Sequence, residues 1–195
     1  MDYNTEVKLL SITPDAEELC ETAGRLCYNS GDKLGTNDKW LESRIKQGHQ
    51  TIIEHGSASF YIKCSRVVTH ELVRHRIANY SQRSQRYVKE SEPDYILPPE
   101  FENDENALKV FRLAMIDSWI SYKYLLDKGY KPEIARYVLP NACMTEIICT
   151  WNFREIRHII ELRTSNAALP EMQEVANKIK YIMKEQCPKI FSDLE

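Results

Sequence analysis

SASFYIKC, at residues 57–64, alternates between apolar side chains and small or polar ones. A period of two is typical of a β-strand that buries one face, so we predict a strand there. Working outward, we predict a short strand over residues 7–12 and another over residues 142–151. Helix remains an alternative for residues 142–151, because periodicity alone does not separate a short apolar strand from a helix.

Apolar residues at helical spacing predict helices around these strands. The first begins at Thr13, which supplies an N-cap, with Pro14 at the first helical position, and it ends near residue 28. A long helix is predicted over residues 104–128. The other predicted helices span residues 37–47, 66–75, 132–139, 153–163 and 170–186.

Two segments are predicted to lack regular structure. Residues 79–87 are polar, and Pro93, Pro98 and Pro99 indicate an extended surface segment. Because strands and helices do not alternate regularly along the chain, we predict an α+β fold rather than a doubly wound sheet. The predicted fold is a small, mainly antiparallel sheet flanked by several helices, one of them long, in a single domain over residues 1–195.

The composition favours an ordinary globular protein, with 43% hydrophobic and 28% charged residues. We expect a cytoplasmic protein, because no apolar run reaches the roughly 20 residues of a membrane span and no secretory signal is visible. Six cysteines without a close pair predict reduced, buried thiols. A formal net charge of −3 disfavours a protein that coats nucleic acid.

The most unusual segment lies between Glu71 and Glu90, where no residue is acidic. Arginine forks suit phosphate oxygens, and neighbouring hydroxyls and amides add neutral hydrogen bonds. In an acidic protein this concentration predicts an anion site, with a solvated basic loop as an equal alternative. The cations are Arg74, Arg76, Arg83, Arg86 and Lys89, and the neutral donors are Ser81, Gln82, Ser84 and Gln85.

Arg74, His75 and Arg76 are consecutive, so they cannot share one face of a helix, in which each step rotates by about 100°. They must then serve different ligands or face different subunits. Their divergent directions favour a crowded site over a flat basic stripe.

Two further arginines lie in apolar surroundings, Arg136 and Arg163. A buried arginine is costly unless it is paired or bound to an anion. Neighbouring carboxylates of the fold, Glu133 and Glu161, are one possible explanation. Anionic ligands are the other.

A metal site is not predicted. His70 and His75 flank Glu71 as in a zinc-binding helix, but they are five residues apart rather than four and do not stack on one face. Neither GxGxxG nor GxxxxGK[ST] is present, so nucleotide binding by those glycine loops is not supported.

Arg74-His75-Arg76 followed after seven residues by Ser84 matches the RHR-x7-S signature of the flavin-dependent thymidylate synthases. Other segments resemble motifs of that family in order and approximate spacing. Together they cover most of the chain from residue 48 to residue 163. They are GHQTIIEH at residues 48–55, SQRY at 84–87, ARYVLP at 135–140, WNFR at 151–154 and ELR at 161–163.

The resemblance implies a role for each matched position. Arg163 matches the arginine that polarises the uracil and favours ionisation at N3, so it is the candidate catalytic residue. His49 is expected near the flavin and the folate. The implied FAD contacts are Thr51, Arg74, His75, Arg76, Gln82, Asn152, Phe153, Arg154 and His158. The implied dUMP contacts are Glu71, Leu72, Val73, Arg74, Gln82, Arg83, Ser84, Gln85, Arg86, Arg136 and Arg163.

The resemblance also implies the reaction. NADPH reduces bound FAD, 5,10-methylenetetrahydrofolate delivers a methylene to dUMP, and the reduced flavin provides the hydride that completes the methyl group of dTMP. Ser84 is interpreted as a substrate hydrogen-bonder rather than a nucleophile, because no histidine partner is evident. The family forms homotetramers with shared sites, which agrees with the divergent directions of residues 74–76.

One segment departs from the family. After Arg163 the family often carries His or Gln, whereas residues 164–170 read TSNAALP, with Leu169 at a commonly polar position. The resemblance therefore implies that a flavin contact there is missing or replaced.

Two other functions remain alternatives. A nucleic-acid-binding module would use residues 74–89, with Tyr80 and Tyr87 as stacking residues. A flavoprotein of the same fold would act on a different substrate.

Overall fold

A four-stranded sheet forms the centre of the computed structural model, which describes residues 3–90 and 94–194. The sheet order is β1-β2-β4-β3, and every neighbouring pair is antiparallel. The three predicted strands are confirmed, and the helical alternative for residues 142–151 is wrong. The strands are β1 Glu6–Ile12, β2 Ser57–Ser65, β3 Ala78–Gln82 and β4 Met144–Asn152.

Helices account for much of the remaining chain. The predictions for residues 104–128, 153–163 and 170–186 are confirmed. No helix among the described residues is long and apolar enough to cross a lipid bilayer. The helices are α1 Ala16–Leu26, α2 Trp40–Lys46, α3 Arg66–Leu72, α4 Glu105–Asp127, α5 Pro132–Ala135, α6 Phe153–Arg163, α7 Pro170–Gln186 and α8 Pro188–Phe191.

One face of the sheet forms the core. In β2 every second side chain is buried, and Phe60 and Ile62 lie opposite Cys149 and Ile147 of β4. Apolar side chains of α6 and α7 belong to the same core, among them fully buried Ile159. Burying a side chain of this size contributes roughly 1.5–3 kcal/mol, so the alternation at residues 57–64 fixes which face the helices cover. The α+β fold is confirmed.

Gly56 fixes the position at which α6 begins. Its carbonyl accepts from the backbone N–H of Phe153, and a Cβ on Gly56 would collide with the Phe153 ring. Phe153 is itself fully buried. The start of α6 is therefore held against the segment that precedes β2.

The predicted helix over residues 66–75 is wrong at its C-terminal end, because α3 stops at Leu72. The Tyr80 hydroxyl lies 2.6 Å from the carbonyl oxygens of both Leu72 and His75, so it can donate its one proton to either of them. The chain then turns into β3, which was not predicted. Within the part of the chain that the structure describes, this strand pairs with β4 alone, and its mixed polar side chains lack an apolar alternation in the sequence.

Three other boundaries differ from the prediction. Thr13 does not cap α1, because its hydroxyl accepts from the backbone N–H of Ser57 at 3.0 Å. Helix α1 begins after Asp15. The predicted helix over residues 37–47 begins at Trp40, and the one over residues 132–139 is α5 followed by a 3-10 turn over Arg136–Val138.

The proline-rich segment is only partly on the surface. Ile96 and Pro99 are buried, and Tyr95 forms a β-bridge with Cys143. The prediction of an extended surface segment is therefore wrong for residues 95–99, while Pro93 lies outside the described residues. Pro188 does end α7 as predicted, but it also begins the short helix α8.

Candidate active site

A buried histidine lies where α3, β3 and α6 meet. His75 is only 4% exposed, and its Nδ1 lies 3.1 Å from Oε1 of Glu155 in the first turn of α6. Its Nε2 lies 3.2 Å from Nε of Arg163 at the other end of α6. The imidazole therefore bridges a carboxylate and a guanidinium.

Burial is the largest cause that lowers the pKa of His75 below its usual value. The positive charge of Arg163 and the electrostatic influence of the neighbouring His158 lower the pKa of His75 further, while the hydrogen bond and charge of Glu155 raise it. The net direction favours the neutral imidazole near pH 7, since an unperturbed histidine has a pKa of about 6.5.

Arg163 is held by a residue far away in sequence. Its Nη1 donates to Oε2 of Glu71 at 2.6 Å, and its Nη2 lies 3.4 Å from the Glu71 carbonyl oxygen. The suggested pairing with Glu161 is wrong, since that carboxylate lies 3.8 Å from Arg157 instead. A guanidinium has five N–H donors, so these contacts leave two of them available to a ligand.

The start of α6 lines a cavity of about 380 Å³. Asn152 caps the helix by accepting from the Glu155 backbone N–H at 2.9 Å, and Arg154 donates to Glu54 at 2.5 Å. His158 is exposed, with its ring centroid 5.6 Å from that of His75. The cavity is lined by Gln50, Glu54, Ile77, Asn152, Arg154, Glu155, Arg157, His158 and Glu161.

Four other predicted flavin residues lie elsewhere around this region. Thr51 and His49 are exposed and line a separate cavity of about 110 Å³ beside Trp40. Arg74 and Arg76 are exposed, and neither side chain has a hydrogen bond or ion pair with any residue the structure describes. The side chain of Phe153, by contrast, belongs to the core.

Two arginines of the segment after β3, which was predicted to bind dUMP, pair with carboxylates of the fold. Arg86 donates to Glu133 of α5 at 3.0 Å, and Arg83 lies 3.1 Å from Glu90. The suggested pairing of Glu133 with Arg136 is therefore wrong. These carboxylates neutralise part of the basic stretch, which counts against a continuous surface for nucleic acid.

The neutral side chains of this segment differ in their hydrogen-bond partners. The Ser84 hydroxyl accepts from the Arg86 backbone N–H at 3.2 Å, and no histidine in the described chain bonds to it. Gln82 donates to Thr69 at 3.0 Å and lies 3.4 Å from the Thr145 hydroxyl. Gln85 is buried, and its Nε2 has no partner among the described residues.

Arg66 and Arg136 are neighbouring cations, and within residues 3–90 and 94–194 neither side chain has an ion pair or a hydrogen bond. Burial is the largest cause that lowers the pKa of Arg66, and the charge of Arg136 lowers it further, while Cys143 and Glu90 raise it. Nη1 of Arg66 is buried and unsatisfied. An anion close to both guanidiniums would remove this cost.

Several of the predicted residues, together with two that were not predicted, fall into two groups within one chain. The imidazole group comprises Glu71, His75, Asn152, Arg154, Glu155, His158 and Arg163. The phosphate group comprises Arg66, Arg83, Ser84, Gln85, Arg86 and Arg136. No hydrogen bond or ion pair among the described residues joins the two groups. Leu72, predicted at the nucleotide, is fully buried in the core, and Val73 is exposed.

Sequence reasoning missed two members of these groups. Glu155 follows Asn152 by three residues, a spacing typical of a capped helix start, and this signal was available. Arg66 begins α3 directly after the strand at residues 57–65, and only its environment reveals its unsatisfied charge.

His75, Glu155 and His158 each offer one ligand atom, and these atoms lie within 4.8 Å of one another. Both ring nitrogens of His75 are already engaged, by Glu155 and by the cationic Arg163. A metal ion would have to displace one of these partners and would be repelled by the guanidinium.

Comparison with known proteins matches residues 8–189 to the family described as thymidylate synthase complementing protein. A flavin-dependent thymidylate synthase of Geobacter sulfurreducens is 39% identical, over 96% of this chain and 86% of the relative. One of Clostridium tetani is 37% identical, over 95% and 85%. One of Corynebacterium diphtheriae is 35% identical, over 96% and 82%.

Proposed function

This chain belongs to the flavin-dependent thymidylate synthase family, and from that membership we propose that it methylates dUMP to dTMP. The geometric observation that carries the proposal is the fixed Arg163, held by His75 and Glu71 with N–H donors to spare. Such a guanidinium stabilises negative charge that develops on the uracil in a desolvated pocket.

The residues around the 380 Å³ cavity fit the flavin end of FAD. Asn152, Arg154 and His158 offer polar groups, and Ile77 offers an apolar surface. Arg76 precedes Ile77 in the chain and is an exposed cation without a hydrogen bond or ion pair among the described residues. When bound and reduced by NADPH, FAD would supply a hydride. This hydride completes the methyl group of dTMP, whose carbon comes as a methylene from 5,10-methylenetetrahydrofolate. The surrounding side chains bind, orient and exclude water.

We assign the binding of the dUMP phosphate to the residues of the phosphate group, which are Arg66, Arg83, Ser84, Gln85, Arg86 and Arg136. Arg66 and Arg136 are cations that carboxylates of the described chain do not neutralise, and Ser84 and Gln85 add neutral hydrogen-bonding groups. Phosphate oxygens satisfy guanidinium forks well. We include Arg66 in the site on this basis, although the sequence did not suggest it.

The active enzyme is proposed to be a homotetramer with shared sites. The imidazole group and the phosphate group are not bonded to each other within one chain, and dUMP needs both. Helix α4 also exposes a stripe of apolar side chains at helical spacing, which a second copy would cover. The stripe comprises Val110, Leu113, Ile116, Ile120 and Tyr124, each between 49% and 68% exposed.

No metal enters this proposal, and the reaction is placed in the cytoplasm. The proposal is tested by the visible spectrum of the purified protein. We expect a yellow protein whose flavin absorbance bleaches with NADPH and shifts when dUMP is added. A flavin spectrum that dUMP leaves unchanged would favour a flavoprotein with another substrate, and a colourless protein with salt-sensitive binding of DNA or RNA would favour the nucleic-acid module.

A further inference from the structure

Glu155 is a buried carboxylate whose only side-chain partner among the described residues is His75. It is 8% exposed and lies in the first turn of α6, where the helix dipole favours negative charge. Its backbone N–H donates to the Asn152 side chain, so the start of the helix fixes the backbone from which the Glu155 side chain extends.

The contacts of His75 determine which ring nitrogen carries the proton. The Nε of Arg163 is always a donor, so Nε2 of His75 must accept from it. In the neutral ring the proton is then on Nδ1, which donates to Oε1 of Glu155 at 3.1 Å. Glu155 stabilises this tautomer because a carboxylate can only accept.

Arg163 depends on this tautomer. If Nε2 carried a proton, two N–H groups would face each other and the guanidinium would lose one of its anchors. Glu71 would then hold Arg163 alone, through a side chain that is 30% exposed. The direction in which the free N–H groups point would no longer be fixed.

We propose that Glu155 is a positioning residue: it holds His75 as the Nδ1-protonated tautomer and thereby orients Arg163 toward the pyrimidine. The part concerning the pyrimidine rests on the proposed function. The lowered pKa of His75 agrees with this role, since protonation would also turn Nε2 into a donor. The charged or titratable groups that face the ring are Glu155, Arg163 and His158.

Two substitutions separate the hydrogen bond from the shape of the side chain. Glu155→Gln keeps a carbonyl oxygen that can accept from Nδ1, whereas Glu155→Leu keeps similar size and removes the acceptor. We expect Glu155→Leu to lower kcat with dUMP about 100-fold, the loss that follows a misplaced catalytic group, and Glu155→Gln to restore most of the turnover. In a His75→Leu background, Glu155→Leu should cause little further loss, because the two residues act as one unit.

The tautomer itself is measured by NMR of the flavin-free and flavin-bound protein labelled with ¹⁵N-histidine, with His75→Leu assigning its signals. We expect His75 protonated at Nδ1 in wild type and in Glu155→Gln, but not in Glu155→Leu. This readout does not require dUMP, so it supports the tautomer part even if wild type never turns over dUMP, an outcome that would refute the proposed function alone. Protonation at Nε2 in wild type, equal losses in both variants, or normal turnover of Glu155→Leu would overturn the positioning role.

Discussion

Nε of Arg163 donates to Nε2 of His75 across 3.2 Å, so the arginine proposed for the uracil is bonded to the histidine proposed for the flavin. The two residues are 88 positions apart in sequence. The fold therefore connects the two halves of the proposed reaction through one hydrogen bond, between the turn after α3 and the last turn of α6.

Replacing Arg163 with alanine should abolish turnover while much of the FAD binding remains. Its proposed role is at the pyrimidine, and removing one electrostatic donor of this kind typically costs about 100- to 1,000-fold in kcat. The measurement is kcat together with flavin content per protomer. Arg163→Lys is the control for charge without the fork, and loss of flavin with normal dUMP binding would contradict the assignment.

The His75 contacts also predict a pH dependence of stability. Because the folded pKa is lowered, the unfolded chain binds a proton more readily, so this contribution is complete above about pH 6.5 and is lost as pH falls toward the folded pKa. Urea unfolding of wild type should show a free energy of unfolding that declines from pH 7.5 to pH 5.5. His75→Gln should remove part of that decline, and an identical decline in both proteins would refute the attribution.

Metal removal should leave the activity unchanged. Both nitrogens of His75 are engaged, and Arg163 places a positive charge beside the three possible ligand atoms. Dialysis against EDTA followed by an activity assay and elemental analysis tests this expectation. Activity that is lost in EDTA and restored by a stoichiometric divalent cation would show that the cluster is a metal site after all.

A charge in the apolar stripe of α4 should separate the subunits. Ile120 is 62% exposed in one chain, and Ile120→Glu would place an unpaired charge in the proposed interface, which costs several kcal/mol. Light scattering should show smaller species, and turnover should fall by more than about tenfold. Leu26→Glu is the matched control at an exposed apolar position outside the stripe, and an intact tetramer in Ile120→Glu would exclude α4 as the interface.

Local sequence signals predicted those elements whose ends are defined locally. Helices α6 and α7 begin at an N-cap asparagine and at a proline, and their boundaries agree with the prediction. Strand β3 was missed because its residues are mostly polar: its side chains alternate between half-buried and exposed, and this alternation has no apolar period in the sequence. Helix α3 was predicted too long because its end depends on Tyr80, eight residues after Leu72, whose hydroxyl lies within hydrogen-bond distance of the carbonyls of Leu72 and His75.

The predictions for the candidate site divide in the same way, between single residues that sequence motifs identified and distant partners that they did not. Family motifs located Arg163, His75 and Arg136, but nearby carboxylates were the wrong partners for both arginines. The partner of Arg163 is Glu71, which is 92 residues away, and Glu155 is 80 residues from His75. Pairings over such separations are set by the packing of α3 and α6 against the same sheet, which periodicity along the chain does not encode.

Tritium release from [5-³H]dUMP is the measurement closest to the chemistry proposed for this protein. With 5,10-methylenetetrahydrofolate and NADPH present, wild type should release tritium to water as dTMP forms, and Arg163→Ala should not. Wild type that binds flavin and accepts electrons from NADPH yet releases no tritium would contradict the account.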